Sequence, residues 1–184
     1  MGKTKENGRD YQRAKSYQWQ FDYVWPSKAN RKKLTRREIV EICARICIQD
    51  YAVAPPEIVK SHRTVSAAAN SRCLMMPDWS CFPECVMHEL AHYLVLNVYH
   101  RAPDASSHGA AFMRVYIDLL LKHCGTDSSM IWNGVAAFNL NVALKPEMDA
   151  AFQAHLAGPN CLLAGKGVNL QPAYRLARNL QGKK

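Results

Sequence analysis

The short stretch His88-Glu89-Leu90-Ala91-His92 constrains this chain of 184 residues more than any other part of its sequence. Two histidines four residues apart lie one turn apart on the same face of an α-helix, so their ring nitrogens can bind a single Zn²⁺ ion. Glu89 lies beside them and is not needed as a ligand. It can instead act as a general base towards a water that the metal activates, so the stretch predicts a zinc hydrolase.

The residues around this stretch have the pattern of one buried helical face. Apolar side chains recur at spacings of three and four, which predicts an α-helix over about 82–99 that leaves both histidines and Glu89 on another side. The apolar positions are Met87, Leu90, Ala91, Leu94, Val95 and Val98. The simpler alternative is that His88 and His92 are ordinary residues of an amphipathic helix that binds no metal.

A catalytic zinc needs a third protein ligand, and two common sources of it are absent. The longer motif H-E-x-x-H-x-x-G-x-x-H would require Gly and His where Val95 and Val98 stand. A glutamate ligand from the following helix is excluded as well, because no glutamate occurs between Glu89 and Glu147.

His108 is the best remaining candidate for the third ligand. Gly109 follows it and permits the chain to turn into a new helix, whose apolar residues would anchor His108 against the active helix. His100 and Asp104 are the alternatives. Cys85, one turn before His88, is a weaker one.

The segment His108–Phe112 resembles the helix start of the SprT-like metallopeptidases, Spartan and its relatives, which combine H-E-x-x-H with an H-G-P-E-F-like segment. Here the His, Gly and Phe match, whereas Ala110 and Ala111 replace the proline and the acidic residue. The chain is also similar to uncharacterised bacterial and phage metallohydrolases. They share an R-D-x-Q-R-x-x-x-Y start, found here from Arg9 to Tyr17, and a strand that ends in a proline, here Pro77. The likeness covers about residues 9–143.

This resemblance implies a zincin-like α+β domain, with a small sheet packed on the active helix, and a metallopeptidase that uses one Zn²⁺ ion. His88, His92 and His108 would hold the ion, and Glu89 would be the catalytic residue. The strand Cys73–Met76 would form the edge of the sheet and bind a protein or peptide substrate by strand addition. Similarity to proteases that act on DNA-associated proteins implies DNA as a further partner.

Length and composition bound the domain organisation. With 48% hydrophobic residues the chain can bury a sizeable core, and we predict one domain over 1–143 followed by a helical and basic appendage over 144–184. Seven cysteines without a C-x-x-C pair indicate neither a disulfide framework nor a zinc ribbon. A polar N-terminus and the lack of a long apolar run predict a cytoplasmic protein.

Residues 28–37 are the most basic part of a chain whose formal net charge is +9. The run holds Lys28, Arg31, Lys32, Lys33, Arg36 and Arg37 and no acidic residue. Most such runs are solvated surface. Beside the aromatic stretch 17–25, however, this one also predicts a surface that contacts phosphates and stacks bases.

Local patterns predict the remaining elements. Thr35 to Glu38 has the form of a capping box, which predicts a helix over about 36–50. Strands are predicted at 58–60, 65–69 and 72–76, and helices at 110–123, from 127 or 128 to 137, and from Pro146 to about Gly158. The stretch 17–25 is ambiguous, because its aromatic residues fit both the alternation of a strand and the period of a helix.

Two classes of function compete. The first is a zinc metallopeptidase, and the second is a nucleic-acid-associated binding protein on a zincin scaffold, with a structural metal or a lost activity. Glu89 favours the enzyme, since a purely structural zinc site does not use a carboxylate at that position. Position alone leaves four candidates for the donor that stabilises the oxyanion, namely Tyr93, Tyr99, His100 and Arg114.

Overall fold

The computed structural model describes residues 10–25, 32–61 and 66–162. These residues form six α-helices and one three-stranded sheet, which confirms the predicted α+β class. The helices are α1 (Arg13–Trp19), α2 (Arg36–Tyr51), α3 (Pro83–Asn97), α4 (Ala110–Leu119), α5 (Ser128–Ala137) and α6 (Lys145–Leu156), and the strands are β1 (Glu57–Lys60), β2 (Ala68–Ala69) and β3 (Cys73–Met76). Every helix predicted after Thr35 is present, with ends that differ from prediction by a few residues.

The strand that precedes the active helix is the central strand of the sheet. The strand order is β1-β3-β2, with β1 parallel and β2 antiparallel to β3. The prediction that Cys73–Met76 forms the edge was therefore wrong. The edge on that side is β2, whose Ala68 and Ala69 pair with Met75 and Leu74.

A tight turn explains this arrangement. The side-chain oxygen of Asn70 accepts hydrogen bonds from the backbone N–H groups of Arg72 at 2.8 Å and Cys73 at 2.9 Å. Asparagine side chains stabilise such turns by replacing a backbone acceptor. The chain consequently reverses directly from β2 into β3, which places the small residues of β2 outside β3.

Helix α2 begins at the predicted capping box. The Thr35 hydroxyl accepts the backbone N–H of Glu38 at 3.2 Å, and the Glu38 carboxylate accepts the N–H of Thr35 at 2.7 Å. Both partners satisfy backbone donors that the first helical turn leaves unpaired. The helix ends at Ala52, whose φ of 48° lies in the left-handed region that commonly terminates helices.

Helix α3 runs through the centre of the molecule. It begins with Pro83 in its first turn, where the missing N–H of proline costs no hydrogen bond. It packs against α4 on one side and against β2 and β3 on another. Most of its residues are buried, including His88 and Glu89, so polar side chains of this helix are held in the protein interior.

The aromatic stretch near the N-terminus is helical, which resolves the ambiguity of the sequence in favour of the helix. Helix α1 continues directly into a π-helical turn over Gln20–Val24. The buried residues of this segment are Ser16, Trp19, Gln20 and Val24, a helical spacing. Phe21 faces solvent, so the alternation of aromatic residues does not correspond to two faces of a strand.

Helix α1 is held against α5 by close packing at Gly134. A Cβ atom at this glycine would lie 2.7 Å from the ring of Trp19 and 2.5 Å from that of Tyr23, so only glycine permits this approach. The Trp19 indole N–H also donates to the carbonyl of Ile131 at 3.4 Å. These contacts fix the rotation of α1 and with it the face that α1 turns towards α3.

Helix α6 packs on the same core as the predicted main domain. Its Met148 and Ala151 belong to the core cluster, and Phe152 lies edge-on to Tyr51 at a ring distance of 6.4 Å. The part of the predicted appendage that the structure describes is thus in contact with α2. Residues 163–184, which hold the predicted basic end, lie outside the described residues.

None of the helices in the described ranges is both long enough and apolar enough to cross a membrane.

Candidate metal centre

Three histidines predicted from the sequence converge on one point. His88 and His92 lie one turn apart on α3, and their Nε2 atoms are 3.1 Å from each other. His108 precedes α4 and joins them, and one ring nitrogen of each residue lies within 4.8 Å of the others. Ligands about 2.0–2.1 Å from a tetrahedral zinc are separated by about 3.3 Å, so the spacing suits one metal ion.

The loop that delivers His108 is fixed by Asp104. The carboxylate of Asp104 accepts the backbone N–H of Ala110 at 2.8 Å and the hydroxyl of Ser106 at 2.7 Å. The first bond satisfies a free donor at the start of α4. Asp104 is thus occupied as a helix cap, which removes it as an alternative metal ligand.

Gly109 is required here for a reason other than the one the sequence indicated. Its backbone is extended, with φ −73° and ψ −174°, which any residue can adopt. A Cβ atom at this position would instead overlap Ser106 and Asp104. Close approach of the loop, rather than unusual backbone angles, therefore accounts for the glycine beside His108.

His108 is oriented by a carboxylate that lies 98 positions earlier in the chain. Its Nδ1 lies 2.9 Å from Oδ1 of Asp10 and 3.0 Å from Oδ2. A carboxylate only accepts, so Nδ1 carries the proton, and the lone pair is left on Nε2. That Nε2 atom is buried and has no hydrogen-bond partner. Metal-binding histidines commonly have such a carboxylate partner on the other ring nitrogen.

The three imidazoles are held in the neutral form that a metal requires. Burial, followed by the neighbouring histidines, holds the pKa of His88 well below its usual value. Burial lowers the pKa of His92 to about 3, and burial lowers the pKa of His108 against the opposing effect of Asp10. Neutral rings keep a free lone pair, so this set of donors fits a zinc ion.

Glu89 lies next to His88 on α3, but it is not one of the residues whose ligand atoms converge on a single metal position. Its side chain borders the clefts on both sides of the site. Burial raises the pKa of Glu89 to about 8. A carboxyl group in this position can exchange protons with a water or a substrate atom near the metal centre.

Tyr17 and Arg13 of α1 cover the site from the side opposite α3. The Tyr17 ring stacks on His88 with centroids 5.6 Å apart and lies 5.2 Å from the ring of His108. The guanidinium of Arg13, one turn earlier, lies 5.7 Å from the Tyr17 ring centroid. Burial, and then the charge of Glu89, raises the pKa of Tyr17, so its hydroxyl remains a donor at neutral pH.

Two clefts meet at these residues. One has a volume of about 360 Å³ and the other of about 350 Å³, and both are bordered by Arg13, Tyr17, Ala67 and Glu89. Helix α1 and the edge strand β2 both border the first cleft. The candidate metal centre therefore lies in a groove that extends to both sides of Glu89.

Several residues that the sequence offered as alternatives do not join the three histidines. His100 is exposed on the surface, and neither it nor Cys85 belongs to the cluster formed by the three histidines. Among the candidates for the oxyanion donor, Tyr93 donates to the carbonyl of Ala54 at 2.6 Å, and Tyr99 packs against aromatic side chains. Tyr93 and Tyr99 therefore have structural roles.

Arg114 is likewise engaged away from the site. Its Nε donates to the carbonyl of Ala143 at 2.9 Å, and its guanidinium lies over the ring of Trp132. None of the four candidates for the oxyanion donor borders either of the two clefts.

Asp10, Arg13 and Tyr17 were not predicted as part of the metal site, although all three lie in the R-D-x-Q-R-x-x-x-Y pattern. Two other residues of that pattern hold the segment in place. Tyr11 donates to Asp104 at 2.8 Å, and the Gln12 carboxamide exchanges two hydrogen bonds with the backbone of residue 141. This pattern was the signal that the sequence offered for the N-terminal segment. The residues that the segment bonds to lie 93 to 129 positions later in the chain.

The described part of the basic run makes contacts within the protein. Lys32 pairs with Glu38 at 3.6 Å and Arg37 with Glu41 at 2.7 Å. The remaining two cations of this part have partners as well: Arg36 donates to the carbonyl of Ile58, and Lys33 lies 5.6 Å from the ring centroid of Phe82. Residues 28–31 lie outside the described residues, and binding of DNA by this run stays a prediction.

Comparison of the chain with models of known protein families, with characterised proteins and with solved structures found no match. The resemblance to SprT-like metallopeptidases therefore stays a prediction, and the candidate site stands on its geometry.

Replacing His108 by alanine should lower zinc affinity sharply, since it removes one of three converging ligands. The dissociation constant can be measured by competition with a chromophoric chelator. His100→Ala is the matched control, because His100 is exposed and outside the cluster, and it should retain wild-type affinity. Zinc retained in His108→Ala and lost in His100→Ala would reverse the assignment of the third ligand.

Replacing Asp10 by alanine should weaken zinc binding by about 10–100-fold, the usual effect of removing the hydrogen-bonded partner of a ligand histidine. The same competition assay measures it. Asp22→Ala provides the control, since Asp22 lies in the same N-terminal segment and is exposed. Equal affinities for all three proteins would show that Asp10 does not orient the ligand.

Proposed function

We propose that this protein is a zinc-dependent metallopeptidase with a zincin-like active site. The observation that carries the proposal is the convergence of His88, His92 and His108 beside a buried carboxyl group, Glu89, in a groove. Three protein ligands leave a coordination position open, as catalytic zinc sites require. A structural site would have a fourth protein ligand, and within the described residues none joins the cluster.

A bound zinc ion supplies Lewis acidity, which lowers the pKa of water and polarises a carbonyl group. The chain supplies the proton transfers. In its ionised form Glu89 accepts the proton of the attacking water, and it then donates that proton to the amine that leaves as the peptide bond breaks. Its position at the junction of both clefts brings it next to a chain that lies along the groove.

Tyr17 is the residue best placed to stabilise negative charge on the substrate carbonyl oxygen. It contacts two of the three histidines, borders both clefts and is 40% exposed, so a substrate in the groove can contact it. Arg13 lies next to it and adds a positive charge to the same wall. A donor placed where charge develops contributes more to the rate than to substrate binding.

An extended polypeptide fits the shape of the groove. Among the described residues the edge strand β2 pairs with β3 on one side only, and its small residues Ala68 and Ala69, with Ala67, border the cleft. Methyl side chains allow a substrate backbone to approach closely, and an edge strand offers it hydrogen bonds by strand addition. Because the groove continues past Glu89 in both directions, the substrate would be cut at an internal bond.

Replacing Glu89 by glutamine should keep zinc but abolish proteolysis, because the amide has the same shape and cannot accept the proton. Loss of a general base lowers the rate by about 10²–10⁴-fold. The measurement is cleavage of fluorescein-labelled casein by the zinc-loaded proteins, with zinc content determined in parallel. Equal cleavage by wild type and Glu89→Gln would show that this site is not the catalyst.

Replacing Tyr17 by phenylalanine should lower kcat by roughly 10²-fold or more and leave KM and zinc affinity close to wild type, as expected for loss of one oxyanion donor. Tyr23→Phe is the control, because Tyr23 lies in the same helical segment and packs on Phe138 outside the groove. An unchanged kcat in Tyr17→Phe, in an enzyme that depends on Glu89, would contradict only the role of Tyr17.

A further inference from the structure

The second cleft contains a feature that the proposed chemistry does not use. Besides the four residues that it shares with the first cleft, it is bordered by Gln20, Trp25, Trp79 and Cys85 among others. Its volume of about 350 Å³ lies within the range of ligand-binding pockets. It therefore has room for a substrate side chain next to the bond that Glu89 would act on.

Gln20 is the distinctive residue of this cleft. Its side chain is fully buried, yet among the described residues neither its carboxamide oxygen nor its nitrogen has a hydrogen-bond partner. Leaving a buried polar group unpaired destabilises the folded protein, because the group loses its hydrogen bonds to water and gains none. Such groups are rare in native proteins, and a ligand that completes the hydrogen bonds is one physical reason for keeping one.

The backbone at Gln20 is widened as well, as it is in the π-helical turn Leu120–Cys124 outside the clefts. Gln20 is the first residue of the π-helical turn Gln20–Val24, whose widened geometry is closed by a bond from the N–H of Trp25 to the carbonyl of Gln20 at 2.8 Å. Single π-helical turns are uncommon and occur frequently at functional sites. Here the π-helical turn begins three residues after Tyr17, about one helical turn further along, and it extends the wall that α1 forms along the groove.

The surroundings of Gln20 restrict what it can bind. Trp79 is 46% exposed and Trp25 is partly buried, so the cleft offers flat apolar surfaces beside the carboxamide. The charged groups on its border, Arg13 and Glu89, lie where the two clefts meet. An aliphatic side chain in the cleft would leave the Gln20 carboxamide unpaired, and a charged one would lose solvation without gaining an ion partner at Gln20.

We propose that the cleft bordered by Gln20 and Trp79 is a specificity subsite for a carboxamide side chain of the substrate, glutamine or asparagine, next to the cleaved bond. Two carboxamides are complementary, since each offers one acceptor and N–H donors in the same plane. The two tryptophans on the border of the cleft add apolar surface for the rest of the substrate side chain. This inference rests on the proposed peptidase function and adds the class of residue that the enzyme selects.

The test is to map the bonds that the zinc-loaded protein cuts in a peptide library made by tryptic digestion of a whole proteome. Wild type should show glutamine and asparagine enriched about tenfold or more at one position beside the cleaved bond, which corresponds to one or two hydrogen bonds. Gln20→Leu should lose this enrichment. Gln18→Leu should keep it, because Gln18 is exposed and bonds to Asp22 on the same helical segment.

Thermal unfolding provides a readout that needs no substrate. Removing an unpaired buried amide should leave Tm unchanged or raise it by about 2–4 °C per kcal/mol regained. A lower Tm in Gln20→Leu would show that the carboxamide has a structural partner and would overturn the proposal.

The outcomes separate this inference from the proposed function. Cleavage that depends on Glu89 but shows no preference for the two amides, or a preference that survives in Gln20→Leu, contradicts the subsite alone. No cleavage by wild type, or equal cleavage by Glu89→Gln, contradicts the peptidase function and the subsite with it.

Discussion

The candidate site depends on the hydrogen bond between Asp10 and His108, 2.9 Å long. Two histidines on one helix are positioned by the helix itself, whereas the third must be brought in and turned correctly. The carboxylate of Asp10 fixes the ring of His108 and leaves its Nε2 facing the other two histidines. The charge of Asp10 also makes that nitrogen a better donor to a metal ion. The same contact draws α1 over the site, so one interaction organises both the ligand set and the wall above it.

The surrounding scaffold serves this arrangement. Helix α3 is buried on most sides, which places His88 and Glu89 where solvent does not compete for them. The loop before α4 is braced by Asp104, and Asp104 in turn receives the hydroxyl of Tyr11 from the N-terminal segment. The segment that contributes Asp10 is thereby attached to the loop that contributes His108, and movement of one without the other is resisted.

Local patterns in the sequence predicted the parts of the structure that are local in origin. The helix with both histidines, the capping box at Thr35 and the helix that follows Asp127 all depend on residues a few positions apart. His108 could be named as the third histidine by excluding other sources. The partners of Asp10 and Tyr17 could not be predicted, because they are set by tertiary contacts across 98 positions and by the rotation that Gly134 permits.

The position of β3 shows a different limit. The residues of β3 are equally compatible with an edge strand and a central strand. The turn at Asn70 decides between them, because it makes β3 run back along β2. The stretch 65–69 was predicted as a strand, but its small residues do not indicate where it lies in the sheet, since alanine has little preference for sheets. Its small side chains matter instead for what can approach it from the groove.

The long separation of the contacts around α1 has a consequence for folding. Asp10 meets His108 across 98 positions, and Gln12 meets residue 141 across 129. Contacts this distant in sequence require closure of long loops and tend to form late. The α3 histidines can come together as soon as their helix exists, but the carboxylate that orients the third ligand arrives only with the native topology. On the proposed assignment, the complete set of metal ligands then exists only in the finished fold, and partly folded chains would compete poorly for the ion.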